Sequence, residues 1–245
     1  MQTLKKPKFG VIASIMETSG LRFFVALPKA TIATSCEIRL DSLWGKLDLI
    51  LKELASMIIQ PTILTLRSEE QGGGMHISLS DQWNFWENLP ENLSGLIRNP
   101  NSNVYVDWDL DLIGYALHRR RQLPFPWEKI GASAHVFTET PDDLPNLLAD
   151  LETTPAKAFL KLVTVARSDD DLVRLRSLFH GRTDSRPLIS FGMGEIGKQS
   201  RFECLGYGSA GTYGFIPGHQ KAAPGQVSIS ELLNDERVRK VLITR

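Results

Sequence analysis

The chain has 245 residues, 42% of them hydrophobic and 23% charged, with 28 Lys and Arg against 28 Asp and Glu. This composition excludes an intrinsically disordered chain, and the balanced charge provides no overall field for nucleic acid or an anionic membrane. Two cysteines, Cys36 and Cys204, supply neither a disulfide framework nor a Cys-rich metal site, and they suit a reducing cytoplasm.

The start, "MQTLKKPKFGVIASIM", has a short apolar run and no small-residue cleavage site, so it reads as a first strand over 8–16 and not as a signal peptide. Residues 17–35 are the expected place of a first crossover helix, although Pro28 lies inside; the alternative is a strand at 21–28. "CEIRLD" (36–41) predicts a second strand, "LWGKLDLILKELASMI" (43–58) a helix, and "PTILTLRS" (61–68) and "NVYVDWDLD" (103–111) the third and fourth strands. The basic run His118 to Arg121 reads as a solvated helix end, and Gln122 to Trp127 as a loop too short to separate domains. "KIGASAHVF" (129–137) and "AFLKLVTVA" (158–166) are further strands, and the helical segments 141–153 and 168–180 open with capping chemistry at Thr140 to Asp142 and at Ser168 with Asp171. "PLISFGMG" (187–194) leads into a helix start, "GYGSAGTYGF" (206–215) completes eight strands, and a closing helix over 228–242 has Ser228 or Ser230 as its N-cap. Continuous apolar strands alternating with helices indicate a parallel sheet covered on its faces. Eight such units in one domain, residues 1–245, match a single (β/α)8 TIM barrel with a parallel eight-stranded core; an open doubly wound sheet is the runner-up. No apolar stretch approaches the length of a bilayer span, and a soluble, cytoplasmic protein is expected.

In such a barrel, chemistry sits where strands end at the C-terminal rim, so polar residues interrupting apolar strands are the candidates. Lys161 is the one charge in "AFLKLVTVA". Desolvation favours the neutral amine, a nucleophile for carbonyl groups; the alternative is a lysine that snorkels outward or pairs with a buried carboxylate. His135 lies one βα unit earlier, on a neighbouring strand, and suits proton transfer. Glu37 and Arg39 share a strand face with Asp41 next, Arg67 ends a strand, and Asp107, Asp109 and Asp111 alternate. With Arg201 these residues suit a small, anionic, polyhydroxylated carbonyl compound. Gly192, Gly194 and Gly197 match G-x-G-x-x-G, but no acidic residue occurs from Cys204 to Ser230, where a dinucleotide ribose would require one. No histidine ligand spacing occurs, so no metal is expected, and the serines show no G-x-S-x-G elbow.

The stretches "CEIRLD", "TLRSEEQGG", "ASAHVFTETP", "FLKLVTVA", "GMGEIGKQSR", "GYGSAGTYG" and "AAPGQ", in this order, resemble the type I 3-dehydroquinate dehydratases, Schiff-base (β/α)8 enzymes of the shikimate pathway. The resemblance implies that Lys161 forms an imine with the substrate ketone and that His135 is the general acid/base. It implies that Arg201 binds the substrate carboxylate, that Gln226 closes over it, that Glu37, Arg39 and Arg67 hold the hydroxyls, and that Met193 and Tyr213 wall the pocket. It implies 3-dehydroquinate as the small-molecule partner, no cofactor, and a homodimer. The sequence departs from the family where a glutamate usually precedes the paired glycines and partners the histidine: Gln71 stands there, with Glu70 one residue earlier. Ala222 replaces a common serine, and the stretch from Tyr213 to "AAPGQ" is slightly longer than usual. A barrel that binds the metabolite without turnover and another Schiff-base lyase, such as a class I aldolase, are the alternative functions.

Overall fold

The structure is a computed structural model that describes residues 8–26, 34–47, 54, 61–119, 122–223 and 225–243. Its strands are β1 (Gly10–Ile15), β2 (Thr34–Arg39), β3 (Thr62–Thr65), β4 (Val104–Asp109), β5 (Ile130–Val136), β6 (Leu160–Val165), β7 (Leu188–Met193) and β8 (Gly211–Phe215). They form one sheet in the order β7-β6-β5-β4-β3-β2-β1-β8, and each neighbouring pair is parallel. The last seam, between β7 and β8, is joined by the Ala210 N–H donating to Leu188 O at 2.7 Å and the Ser190 N–H donating to Ser209 Oγ at 3.3 Å. The result is a nearly closed (β/α)8 barrel. Every residue of β1, β3 and β7 is buried, as expected of parallel strands covered on both faces. At the N-terminal end, Phe9 meets Tyr105 and Phe159 edge-on at 5.6 and 5.4 Å, and the barrel is filled there by aromatic rings.

The helices among the described residues are α1 (Thr18–Ala26), α2 (Leu79–Glu87), α3 (Glu91–Arg98), α4 (Leu110–Arg119), α5 (Leu144–Thr153), α6 (Asp169–Ser177), α7 (Gly194–Tyr207), α8 (Ile229–Asn234) and α9 (Glu236–Ile243). The alternative strand at 21–28 is overturned by α1, which sets Leu21 and Phe24, three residues apart, on the barrel; residues 27–33, with Pro28, lie outside the described residues. Of the helix expected over 43–58, a 3-10 turn at Trp44–Lys46 is seen, with Leu47 and Leu54 buried; 48–53 and 55–60 lie outside the described residues. The Thr140 to Asp142 cap is also corrected. Helix α5 follows Asp143 without a side-chain cap, because the Thr140 hydroxyl is taken by Thr164 Oγ1 at 2.7 Å and Val165 O at 3.0 Å.

Ser168 and Asp171 form a full capping box, as do Ser228 and Glu231. The closing helix is interrupted at Asp235 and becomes α8 and α9. The eighth strand starts at Gly211, later than its apolar run, because α7 extends to Tyr207. Helices α2 and α3 were not anticipated, yet α2 carries a signal: Ser78 accepts from the Asp81 N–H, and Trp83 and Trp86, three apart, are buried. The basic run ends α4 at Arg119, with His118 exposed and Arg120 and Arg121 outside the described residues.

Candidate active site

A cavity of about 460 Å³ opens at the C-terminal rim, a volume suited to a small ligand. Its lining includes Lys161, His135, Glu37, Arg39, Arg67, Gln71, Met193, Arg201, Tyr213 and Gln226. Lys161 is near the start of β6, whereas Arg39, His135 and Met193 lie at or next to strand ends, so the amine rises from the cavity floor. Register puts Ser133 opposite Lys161 and His135 opposite Val163, which confirms that lysine and histidine stand on adjacent strands.

Lys161 is not an isolated charge. Its Nζ lies 3.1 Å from Asp107 Oδ2 and 3.7 Å from Glu37 Oε1, and 4.5 Å from the centre of the Tyr213 ring. Arg67 donates to Asp107 Oδ2 at 2.7 Å and to Ser133 Oγ at 2.9 Å, with Asp109 Oδ2 at 3.9 Å. Burial alone would raise the Asp107 carboxyl, but Arg67 and Lys161 overrule it and hold the group well below the usual carboxylate range. Arg39 grips Asp41 with two hydrogen bonds of 2.9 and 2.8 Å; the same carboxylate accepts the Gly74 N–H at 3.0 Å. Thus Arg39, Arg67 and Lys161 each have a buried carboxylate, which is what buried cations require.

Arg201 is different. It is 2% exposed, donates to Tyr213 O at 3.2 Å and lies over the Phe191 ring at 4.4 Å. Among the described residues its Nε has no hydrogen-bond partner and no carboxylate pairs with it. Burial pushes the guanidinium down to about 10. Arg201 stands on α7, whose tight approach to β7 depends on glycine: a Cβ on Gly197 would sit 2.5 Å from Gly192 C. Gly194, at φ +81°, makes the turn into the helix, and a Cβ on Gly225 would sit 2.5 Å from its carbonyl oxygen. The G-x-G-x-x-G spacing therefore lets strand, helix and the β8–α8 connection close around a guanidinium.

Burial, followed by the charges of Arg67 and Lys161, holds the His135 imidazole well below 6.5, so it is neutral at pH 7. Its ring stacks near Phe137, 6.0 Å between centres, and its buried Nδ1 has no hydrogen-bond partner among the described residues. Neither expected partner supplies one. Gln71 directs its Nε2 to Asp111 Oδ2 at 3.4 Å, and its Oε1 is unpaired among the described residues. Glu70 does not line the cavity, a correction to its expected role; adjacent residues of the 3-10 turn Glu69–Gln71 point apart, and Glu70 pairs with exposed His76 at 2.7 Å. Sequence reasoning missed Ser14, a small polar residue in an apolar strand, and did not single out Asp107 from its alternating neighbours. Both meet the site residues directly. Among the described residues, no group of three or more His, Cys, Asp or Glu side chains could hold a metal ion, and no helix is long and apolar enough to cross a membrane.

Comparisons with known proteins point to one family. Residues 13–241 match the family model described as type I 3-dehydroquinase. A 3-dehydroquinate dehydratase of Dehalococcoides mccartyi is 27% identical over 210 residues, 85% of this chain and 87% of that protein. One from Streptococcus equi subsp. zooepidemicus is 31% identical over 176 residues, 69% of this chain and 70% of that protein. The fold is similar to the crystal structure of 3-dehydroquinate dehydratase from Geobacillus kaustophilus, with TM-score 0.70, 21% identity, and coverage of 96% of this chain and 90% of that one.

Proposed function

The chain belongs to the type I 3-dehydroquinase family, and from that premise we propose that it is a hydro-lyase converting 3-dehydroquinate to 3-dehydroshikimate through an imine on Lys161. The observation that carries this reading is the uncompensated Arg201 guanidinium, buried in the same cavity as a lysine and a neutral histidine. A substrate carboxylate supplies the charge that the described residues do not, and a charge-assisted, bidentate pair with arginine fixes the ring's orientation. Glu37, Arg39 and Arg67 receive the hydroxyls, with Met193 and Tyr213 closing the walls.

Held thus, the substrate ketone faces Lys161 Nζ. The amine attacks the carbonyl carbon, the carbinolamine loses water, and the protonated imine becomes an electron sink. Neutral His135 takes the proton from C2, leaving an enamine. The histidinium returns that proton to the departing C1 hydroxyl, which leaves as water, and hydrolysis of the new imine frees Lys161. The net change is loss of one water, and no redox partner is needed. The unpaired Nδ1 of His135 favours slow turnover, since among the described residues no carboxylate accepts a hydrogen bond from the imidazolium that forms midway, and Asp107 acts on it only through its charge.

The test is direct. Purified protein mixed with 3-dehydroquinate is expected to generate the ultraviolet absorbance of the conjugated product, and Lys161→Ala to abolish it. Binding of 3-dehydroquinate with no product would instead identify a sensor-like barrel. Cleavage of a sugar phosphate with dehydroquinate inert would identify an aldolase-type lyase.

A further inference from the structure

Tyr213 carries a buried hydroxyl that the fold does not use. Its neighbours on β8 face outward: Thr212 Oγ1 donates to Arg201 O on α7 at 2.8 Å, and a Cβ on Gly214 would sit 3.0 Å from Ile229 N at the start of α8. Strand alternation therefore turns Tyr213 inward, to the cavity it lines. Lys161 Nζ lies over the ring, 4.5 Å from its centre. Phe191, whose own ring carries the Arg201 guanidinium, meets it at 5.8 Å between centres. The phenol is 4% exposed, yet among the described residues Tyr213 Oη has no hydrogen-bond partner. Burial, followed by the charges of Glu37 and Asp107, holds it well above 10, so it is a neutral donor. A buried donor left unpaired costs stability, and such groups call for a partner that arrives from outside the fold. Glu37 and Asp107, 3.7 and 3.1 Å from Nζ, favour positive charge on that nitrogen and oppose negative charge on an oxygen beside it.

We infer that Tyr213 is a catalytic residue for imine formation, its hydroxyl donating a hydrogen bond to the substrate ketone oxygen as Lys161 attacks. The inference rests on the dehydratase reading above and deepens it. In the tetrahedral adduct that oxygen is two bonds from Nζ, within reach of a hydroxyl on the ring that lies under Nζ. The lone pair of Nζ forms the new C–N bond, and the carbonyl π pair moves onto oxygen. Tyr213 donates to that oxygen and keeps its proton; a proton from the attacking nitrogen then neutralises the alkoxide and gives the carbinolamine. A donor fixed in advance where charge develops speeds the attack more than it tightens binding.

The test is Tyr213→Phe, which keeps the ring under Lys161 and removes only the hydroxyl. Wild type and variant are mixed with 3-dehydroquinate, quenched into borohydride at set times, and the reduced adduct is followed by mass. At saturating substrate the variant is expected to form adduct about 100-fold more slowly, the loss of one donor at a developing oxyanion. The substrate concentration giving half the maximal rate should stay the same, because Arg201 still captures the carboxylate. The melting temperature should stay equal or rise, because a buried hydroxyl without a partner is gone. An unchanged rate of adduct formation overturns the assignment. So does a higher half-saturating concentration with the maximal rate intact, which would put the hydroxyl on a group that does not react. A lower melting temperature overturns it too, since the hydroxyl would then serve the fold. All three leave the dehydratase reading intact, whereas absence of any adduct in the wild type overturns both.

Discussion

The two flanks of the cavity handle buried charge in opposite ways. On the flank from β2 to β6, Arg39, Arg67 and Lys161 are each matched by a carboxylate within the chain. On the flank formed by β7, α7 and β8, Arg201 is buried against an aromatic ring with one carbonyl for company. The compensated flank is complete without ligand. The Arg201 flank carries a desolvation cost that an incoming anion offsets. In the proposed function, covalent chemistry falls to one side and carboxylate capture to the other, and the contrast can be broken by substitution.

The largest effect is expected at Lys161. Lys161→Ala removes the nucleophile and should lower kcat by about 10⁴-fold or more, as for other covalent catalysts stripped of their nucleophile. Arg201→Met should instead weaken kcat/KM for 3-dehydroquinate by about 100-fold, the value of charged hydrogen bonds to a carboxylate, while still forming some imine at high substrate. Comparable effects of both on trapping would erase the division between flanks.

Stability separates them with opposite signs. Arg67→Met leaves Asp107 with Lys161 alone and should destabilise the fold by about 3–5 kcal/mol in a denaturant titration. Arg201→Met removes an unpaired buried charge and should leave the melting temperature equal or higher. A fall in both would mean that Arg201 is structural.

A smaller contrast is expected in pH dependence. His135 is depressed below 6.5, so as pH falls through the window beneath 6.5 the unfolded chain takes up a proton before the folded one, and stability declines. The same depression keeps the base neutral, so the acid limb of the rate profile should lie below 6.5. On the other flank, KM should rise as pH passes through about 10 and Arg201 loses its proton. The smallest change is Gln71→Glu, expected to move the acid limb upward and to raise kcat several-fold, about the size of one modest electrostatic contact.

The compensated flank was the more legible in the sequence. Parallel strands buried on both faces read as continuous apolar runs, so Lys161, His135, Glu37, Arg39 and Arg67 stood out as interruptions. Ser14 did not, because a serine fits an apolar strand whether or not it faces a site. Asp107, Asp109 and Asp111 alternate identically in sequence, and only register onto β3 and β5 singles out the first as the lysine's partner. Glu70 and Gln71 were inseparable for a similar reason: the 3-10 turn sends one to the surface and the other to the cavity. Arg201 itself was visible, but its lack of a carboxylate is a property of packing.

In the proposed function Lys161 does covalent chemistry on a carboxylate-bearing ketone held in this cavity. The most direct measurement is borohydride reduction of the protein with 3-dehydroquinate, followed by peptide mass mapping. One stable adduct is expected, on Lys161, with dehydroshikimate forming in the unreduced control. Product without an adduct, or an adduct on any other lysine, would contradict it.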